Sequence, residues 1–177
     1  MKKIMFTLFA AFVLSNVNAQ ENVIKVNPLG LLFGSAEFSY ERALNEKSSA
    51  ELSVAYINLN ANFSNGEDAG VSGLGVEGKY KFYFSKSKDA PRGWYAAPVA
   101  SYFSISGKAG NNDGKVSAVT AGAIAGYQWV FGRSATGFAL DLNFGAQYLS
   151  AQTSGDINGL TIGGILPRLG LAIGYAW

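Results

Sequence analysis

Over the last dozen residues, 166–177, the chain alternates large apolar side chains with small or polar ones, and few architectures can accommodate that pattern. Successive strand residues point to opposite faces, so Leu169, Leu171, Ile173, Tyr175 and Trp177 share one side, and Arg168, Gly170, Ala172, Gly174 and Ala176 the other. A soluble sheet packs its bulky face against a second layer of similar bulk, and the remainder of this strand offers none. The pattern suits a strand whose large residues face lipid while its small ones face a narrow interior, as in an outer-membrane β-barrel.

The same period recurs upstream. Turn-forming clusters cut the chain into about eight segments, 22–29, 35–43, 49–59, 73–84, 94–106, 116–131, 137–151 and 165–177. These are near the roughly 9 to 11 residues that a tilted strand needs to cross a bilayer. An even count brings both ends of a closed antiparallel barrel to one side. In the seventh segment Phe138, Leu140, Leu142 and Phe144 oppose Ala139, Asp141, Asn143 and Gly145; in the fourth, Leu74, Val76, Tyr80 and Phe82 oppose Gly75, Glu77, Lys79, Lys81 and Tyr83. Pro28 and Pro98 each remove a ladder donor, which predicts a bulge or strand end near both. Tyr40, Phe82, Phe84, Trp94, Tyr95, Tyr127, Trp129, Phe131, Tyr175 and Trp177 fall near segment ends, where interfacial girdles lie. Residues 30–34, 60–70, 107–115 and 152–158 read as outer connections, and 44–48, 85–93 and 132–136 as inner ones. Their Gly, Asn, Asp and Ser tolerate positive φ or bond locally to the backbone. No outer connection is long enough for a large receptor surface or a plug.

The charged residues of the strands fall on the inward face with nearly balanced signs. Lys25, Lys79, Lys81 and Arg168 stand against Glu37, Glu41, Glu51, Glu77 and Asp141. An interior of about eight strands is just wide enough to be filled by side chains, so these groups are expected to pair across it and close it. A gated, narrow ion path lined by the same residues is the alternative.

Residues 1–19 read as a cleaved export signal: Lys2 and Lys3, an apolar run, then small residues before Ala19. Residues 20–177 would form the barrel domain. The apolar run is far shorter than the roughly 20 residues of a membrane-spanning helix. N-terminal sequencing of exported protein should therefore begin at Gln20; retention of Met1 would contradict the cleavage. The chain has 14 basic and 12 acidic residues, so loss of Lys2 and Lys3 leaves 12 against 12, and no charge argument for a nucleic-acid partner. With no Cys there is neither a lipoprotein anchor nor a disulfide framework.

Composition also narrows the chemistry. Without His or Cys, the usual Ser-His and Asp-His relays, thiol nucleophiles and thiolate zinc sites are all missing, so no catalytic residue is assigned. Gly73-Leu-Gly-Val-Glu-Gly78 matches a dinucleotide fingerprint in letters, but that motif works between a strand and a helix, and here a strand-like run follows. No cofactor is expected. Glu67, Asp68, Asp113 and Asp156 lack the ordered ligand spacing of a calcium loop, so no metal is expected either.

Asn22-Val-Ile-Lys-Val-Asn-Pro-Leu-Gly30, Ala36-Glu-Phe-Ser-Tyr-Glu-Arg-Ala43, Lys79-Tyr-Lys-Phe-Tyr-Phe84 and the aromatic ending together resemble a family of small outer-membrane β-barrel proteins of unknown function. That family is similar in architecture to the transmembrane domain of outer-membrane protein A. The resemblance implies fold and location, and carries no reaction to transfer. The expectation is thus a monomeric, all-β, antiparallel up-and-down transmembrane barrel in the bacterial outer membrane. Its role would be structural or surface-interacting and non-enzymatic, in contact with outer-membrane lipid and lipopolysaccharide. A narrow pore is the alternative, a lipid-modifying enzyme a more distant one, and a lipocalin-type soluble barrel the rival fold. Leu171, Ile173, Tyr175 and Trp177 are expected to act as the signal read by the barrel-insertion machinery, because the last strand must pair with the first to abolish both open edges. Deleting Trp177 should lower folded barrel in cells more than it lowers refolding in detergent, measured by heat-modifiable gel mobility. Equal cellular yields would reduce Trp177 to an interfacial anchor.

Overall fold

Each strand needs a neighbour on both edges, and eight strands supply this by closing into a ring. The computed structural model describes residues 21–32, 34–62, 68–109, 112–133, 136–155 and 161–177; the expected signal segment, Glu67 and Asp156 lie outside them. In chain order the elements are β1 (Asn22–Val26), a one-turn helix α1 (Pro28–Leu32), β2 (Ser35–Asn45), β3 (Ser48–Asn62), β4 (Asp68–Tyr83), β5 (Gly93–Ala109), β6 (Asn112–Arg133), β7 (Thr136–Gly155) and β8 (Thr161–Ala176). Every pairing is antiparallel between chain neighbours, and β8 returns to β1, so the fold is an all-β, up-and-down closed barrel. Backbone bonds between Asn22 and Trp177, 2.8 and 2.9 Å, fasten the seam at the end where both lie.

The expected segments all become strands, but their lengths differ. β1 stops at Val26, because Pro28 has no N–H to extend the ladder and its fixed φ suits the first position of a helix. Pro98 causes neither a bulge nor a strand end. The β4–β5 ladder instead skips Tyr80 and Lys81 opposite Pro98 and Ala97, then resumes in the same register. The expected connection 107–115 is mostly hairpin: Gly107 pairs with Gly114, Lys108 with Asp113 and Ala109 with Asn112. Its Gly and Asn residues read as loop by composition, yet an antiparallel hairpin needs only a short tip. β3 and β7 likewise run on to Asn62 and Gly155. A register shift between Ala43 and Asn45 marks an unforeseen bulge beside the turn in which Asn45 Oδ1 accepts from Lys47 N.

The connection between β4 and β5 folds inward beneath the end that carries Asn22 and Trp177. Ala90 and Pro91 are buried there, Pro91 O accepts from Gln128 Nε2 at 2.8 Å, and Ala90 N donates to Glu46 O at 2.8 Å. Gly93 makes the return possible: its φ is +101°, and a Cβ on it would lie 2.2 Å from Ser85 Oγ. This end of the barrel is capped.

Candidate functional site

The wall inverts the usual order of polarity. Outward residues such as Leu74, Val76, Phe82, Val119, Phe144 and Tyr148 are each about half exposed or more, whereas Lys25, Glu41, Lys81 and Asp141 are almost completely buried. Strand alternation does this directly, because the inward charged positions sit one residue from each apolar outward one. Glu21, before β1, is partly buried, which raises its carboxyl above the usual carboxylate range against the opposing pull of Arg92, 3.7 Å away.

Six of the nine inward charges meet in one layer. Lys25 Nζ on β1 shares its three N–H donors among Glu41 Oε2 at 2.5 Å, Glu51 Oε2 at 2.7 Å, Asp141 Oδ2 at 2.9 Å and Gln128 Oε1 at 2.8 Å. Lys81 Nζ contacts the same three carboxylates, at 3.0, 2.7 and 2.7 Å. Lys79 Nζ reaches Glu51 at 2.6 Å and Glu77 at 3.1 Å. Polar groups saturate the oxygens that remain: Ser49 Oγ and Tyr83 Oη donate to Glu41 Oε1 at 2.5 and 2.7 Å, and Tyr95 Oη donates to Asp141 Oδ1 at 2.6 Å. Buried charge is tolerable only when partnered and hydrogen-bonded in this way. Glu41, Glu51 and Asp141 gather closely enough to hold a metal ion, but two ammonium groups already occupy the space between them.

The other three inward charges lie nearer the far end. Arg168 holds Glu77 through two bonds, Nη1 to Oε2 at 2.5 Å and Nη2 to Oε1 at 2.6 Å, and Nη1 also reaches Gln147 Oε1 at 3.2 Å. Beside them Ser101 and Thr120 bond through their hydroxyls, as do Ser39 and Ser53 at 2.8 Å. Glu37 stands apart, with Oε2 accepting from Asn27 Nδ2 at 2.9 Å. Beyond this second layer a polar cavity of about 320 Å³ opens, lined by Asn27, Glu37, Gln147, Arg168 and Phe103 among others.

Several participants were not singled out from sequence. Tyr95 is a correction: expected in an outer aromatic girdle, it points inward, fully buried, with Lys81 Nζ 4.5 Å above its ring. Parity held the signal, since Trp94 faces out and its neighbour must therefore face in. Inward Gly126 leaves the space, for a Cβ there would meet Tyr95 Oη at 2.7 Å. Gln128 carries the same parity signal between outward Tyr127 and Trp129, but being uncharged it was passed over. The Gly-rich stretch 73–78 lies wholly inside β4, with no helix after it, and Gly75 makes room for Phe103, whose ring a Cβ would approach to 2.4 Å. Leu171, Ile173, Tyr175 and Trp177 lie on one side of the seam strand and its end; Tyr175 and Trp177 are about half exposed, Leu171 and Ile173 less so.

A closed eight-stranded antiparallel barrel, apolar outside and cross-linked by ion pairs within, is the class that fold and interior define. The chain belongs to the family described as "Protein of unknown function (DUF3575)", whose family model matches residues 4–157. No curated protein and no solved structure matches it.

Proposed function

We propose that the chain is an integral outer-membrane barrel, non-enzymatic and closed to bulk flow, with a structural or surface-interacting role in the bacterial envelope. The observation that carries this reading is the inverted polarity: a sheath of half-exposed Leu, Val, Phe and Tyr around a core of paired charges. In water such a surface would aggregate, being far larger than the patches that soluble monomers leave exposed. The apolar band also has a fitting height. From Phe138 to Tyr148 on β7 it covers eleven residues, whose ten steps at about 3.3 Å each and a tilt of about 40° come to roughly 25 Å.

Aromatic residues rim that band. Trp94 meets Tyr127 edge to face and Tyr127 leans on Trp129 at the capped end, ring centroids 5.1 and 4.4 Å apart, and outward Tyr56, Tyr102 and Tyr148 lie toward the other. Beyond the second rim the exposed positions turn polar, as at Asn58, Ser72, Ser106 and Gln152. The polar interior argues against the lipocalin-type alternative, which needs an apolar cavity. The charged layer and the cap beneath it favour a closed barrel over a pore, and stepwise conductance of purified protein in planar bilayers would reverse that preference. The reading as a whole is tested by fractionation and gel mobility. The protein should sediment with the outer membrane, resist carbonate extraction and migrate differently when boiled. Release into the soluble periplasmic fraction would overturn it.

A further inference from the structure

β8 is sixteen residues long, yet its ladder to β1 covers only Ile173 to Ala176. Among the described residues no strand pairs with the same edge of β8 over 161–172. The break follows from Pro28, which ends β1 and starts α1 in its place. α1 lies across the break: Leu29 shares an outer groove with Leu169 and Leu171 of β8, and Leu31 shares another with Phe38 and Val54. The polar cavity reaches Pro167 and Leu169 on the unpaired edge itself, and Leu169 is 85% exposed. At membrane depth an unpaired edge is tolerated only where its backbone lines protein or a water-filled cavity. Here it lines one, so interior and outer surface meet at this edge.

The cavity's charges say what would fit. Lys25, Lys79, Lys81 and Arg168 are matched in number by Glu41, Glu51, Asp141 and Glu77, each within ion-pair distance of at least one of them. Glu37 is the fifth carboxylate, and among the described residues no cation lies within ion-pair distance of it. Arg168 spends both Nη atoms on Glu77, while its Nε is buried without a partner. The cavity is thus lined by a carboxylate with no cation in ion-pair contact and by a guanidinium whose buried Nε has no acceptor.

We propose that this cavity binds the headgroup of a single-chain zwitterionic lipid of the phosphoethanolamine type, admitted sideways from the bilayer past α1. The ammonium pairs with Glu37, the phosphate accepts from the Arg168 guanidinium as its side chain turns to free the Nε, and the acyl chain stays outside along Leu169 and Leu171. A cavity of about 320 Å³ takes the head and leaves the chain in hydrocarbon. The proposal rests on the outer-membrane reading, so the experiment first separates the two. Refolded protein is floated with phosphatidylcholine vesicles and checked for heat-modifiable mobility; failure here sinks the membrane reading and the lateral route with it.

Binding to the embedded barrel is then titrated with lysophosphatidylethanolamine, lysophosphatidylglycerol and free phosphoethanolamine. Lysophosphatidylethanolamine should bind about tenfold more tightly than lysophosphatidylglycerol, the scale of one charge-assisted hydrogen bond. Glu37→Gln should lose a similar factor, and Ala55→Leu, which fills the cavity, should lose binding while keeping normal mobility. Equal affinity for the two lysolipids, or unchanged affinity in folded Glu37→Gln, overturns the headgroup assignment. Free phosphoethanolamine binding as tightly as the lysolipid would mean that the site fills from water, and would overturn the lateral route.

Discussion

Asp141→Ala should cost about 3–5 kcal/mol of stability, the range for breaking a buried ion pair and stranding the partner's charge. Asp141 Oδ2 is shared by Lys25 and Lys81, and Oδ1 accepts from Tyr95, so its removal leaves two buried ammonium groups with one carboxylate fewer between them. The control is Asp89→Ala. Asp89 pairs with Lys47 at 3.1 Å, but those side chains are 58% and 49% exposed, and such surface pairs contribute about 0–1 kcal/mol. Reversible urea unfolding in detergent micelles compares the two. Equal losses would mean that the interior layer fills space without contributing electrostatically.

The second large effect depends on parity across one peptide bond. Leu142 is 43% exposed on the outer wall and Asn143 is 9% exposed on the inner. In a bilayer Leu142→Arg should cost roughly 2–4 kcal/mol, the price of a cation near the hydrocarbon midplane. Asn143→Arg instead introduces its charge beside Asp141, whose Oδ1 lies 3.5 Å from Asn143 Nδ2, and acts through interior crowding against Gly170. The distinguishing measurement is unfolding in vesicles compared with unfolding in short-chain detergent. The Leu142→Arg penalty should shrink when the hydrocarbon layer is thin and wet, and the Asn143→Arg penalty should not. If both respond alike to the solvent, the outer wall does not meet lipid.

Period-two alternation made the strands and their faces legible, because it belongs to each strand alone. Asp141 inward and Leu142 outward follow from Leu140 and Phe144 without any knowledge of neighbours. Which inward charge meets which was not legible. Lys25 and Asp141 are 116 residues apart, and their meeting depends on the stagger of all eight strands, which no single segment encodes. The nearly balanced sign count did not show that Lys79 would bridge the charged layer to the Arg168–Glu77 pair, nor that Glu37 would lie outside ion-pair contact. Tyr95 lies near a strand end, which suits a girdle, yet its parity with outward Trp94 turns it inward. The hairpin at 107–115 has the composition of a loop, because Gly and Asn suit turns and strand positions alike. The inward fold of 85–93 has no periodic signature at all; Pro91 and Gly93 mark a turn, but not that it tucks under the barrel.

The seam has a consequence for the order of folding. β1 is synthesised first and its second neighbour, β8, is synthesised last, so the ring cannot close before the whole chain is made. Until β7 and β8 are in place, Lys25 lacks Asp141 and one whole edge of β1 is open. Backbone closure and completion of the charged layer are thus one late, long-range event, and non-local contacts of this kind slow folding because loop closure must precede their reward. The joint between first and last strands has only four ladder pairs, from Val23 to Val26, besides the Asn22–Trp177 bonds, yet one ammonium group within it grips β2, β3, β6 and β7 at once. Lys25 is therefore placed as a latch, tying the seam strand to four others from the inside.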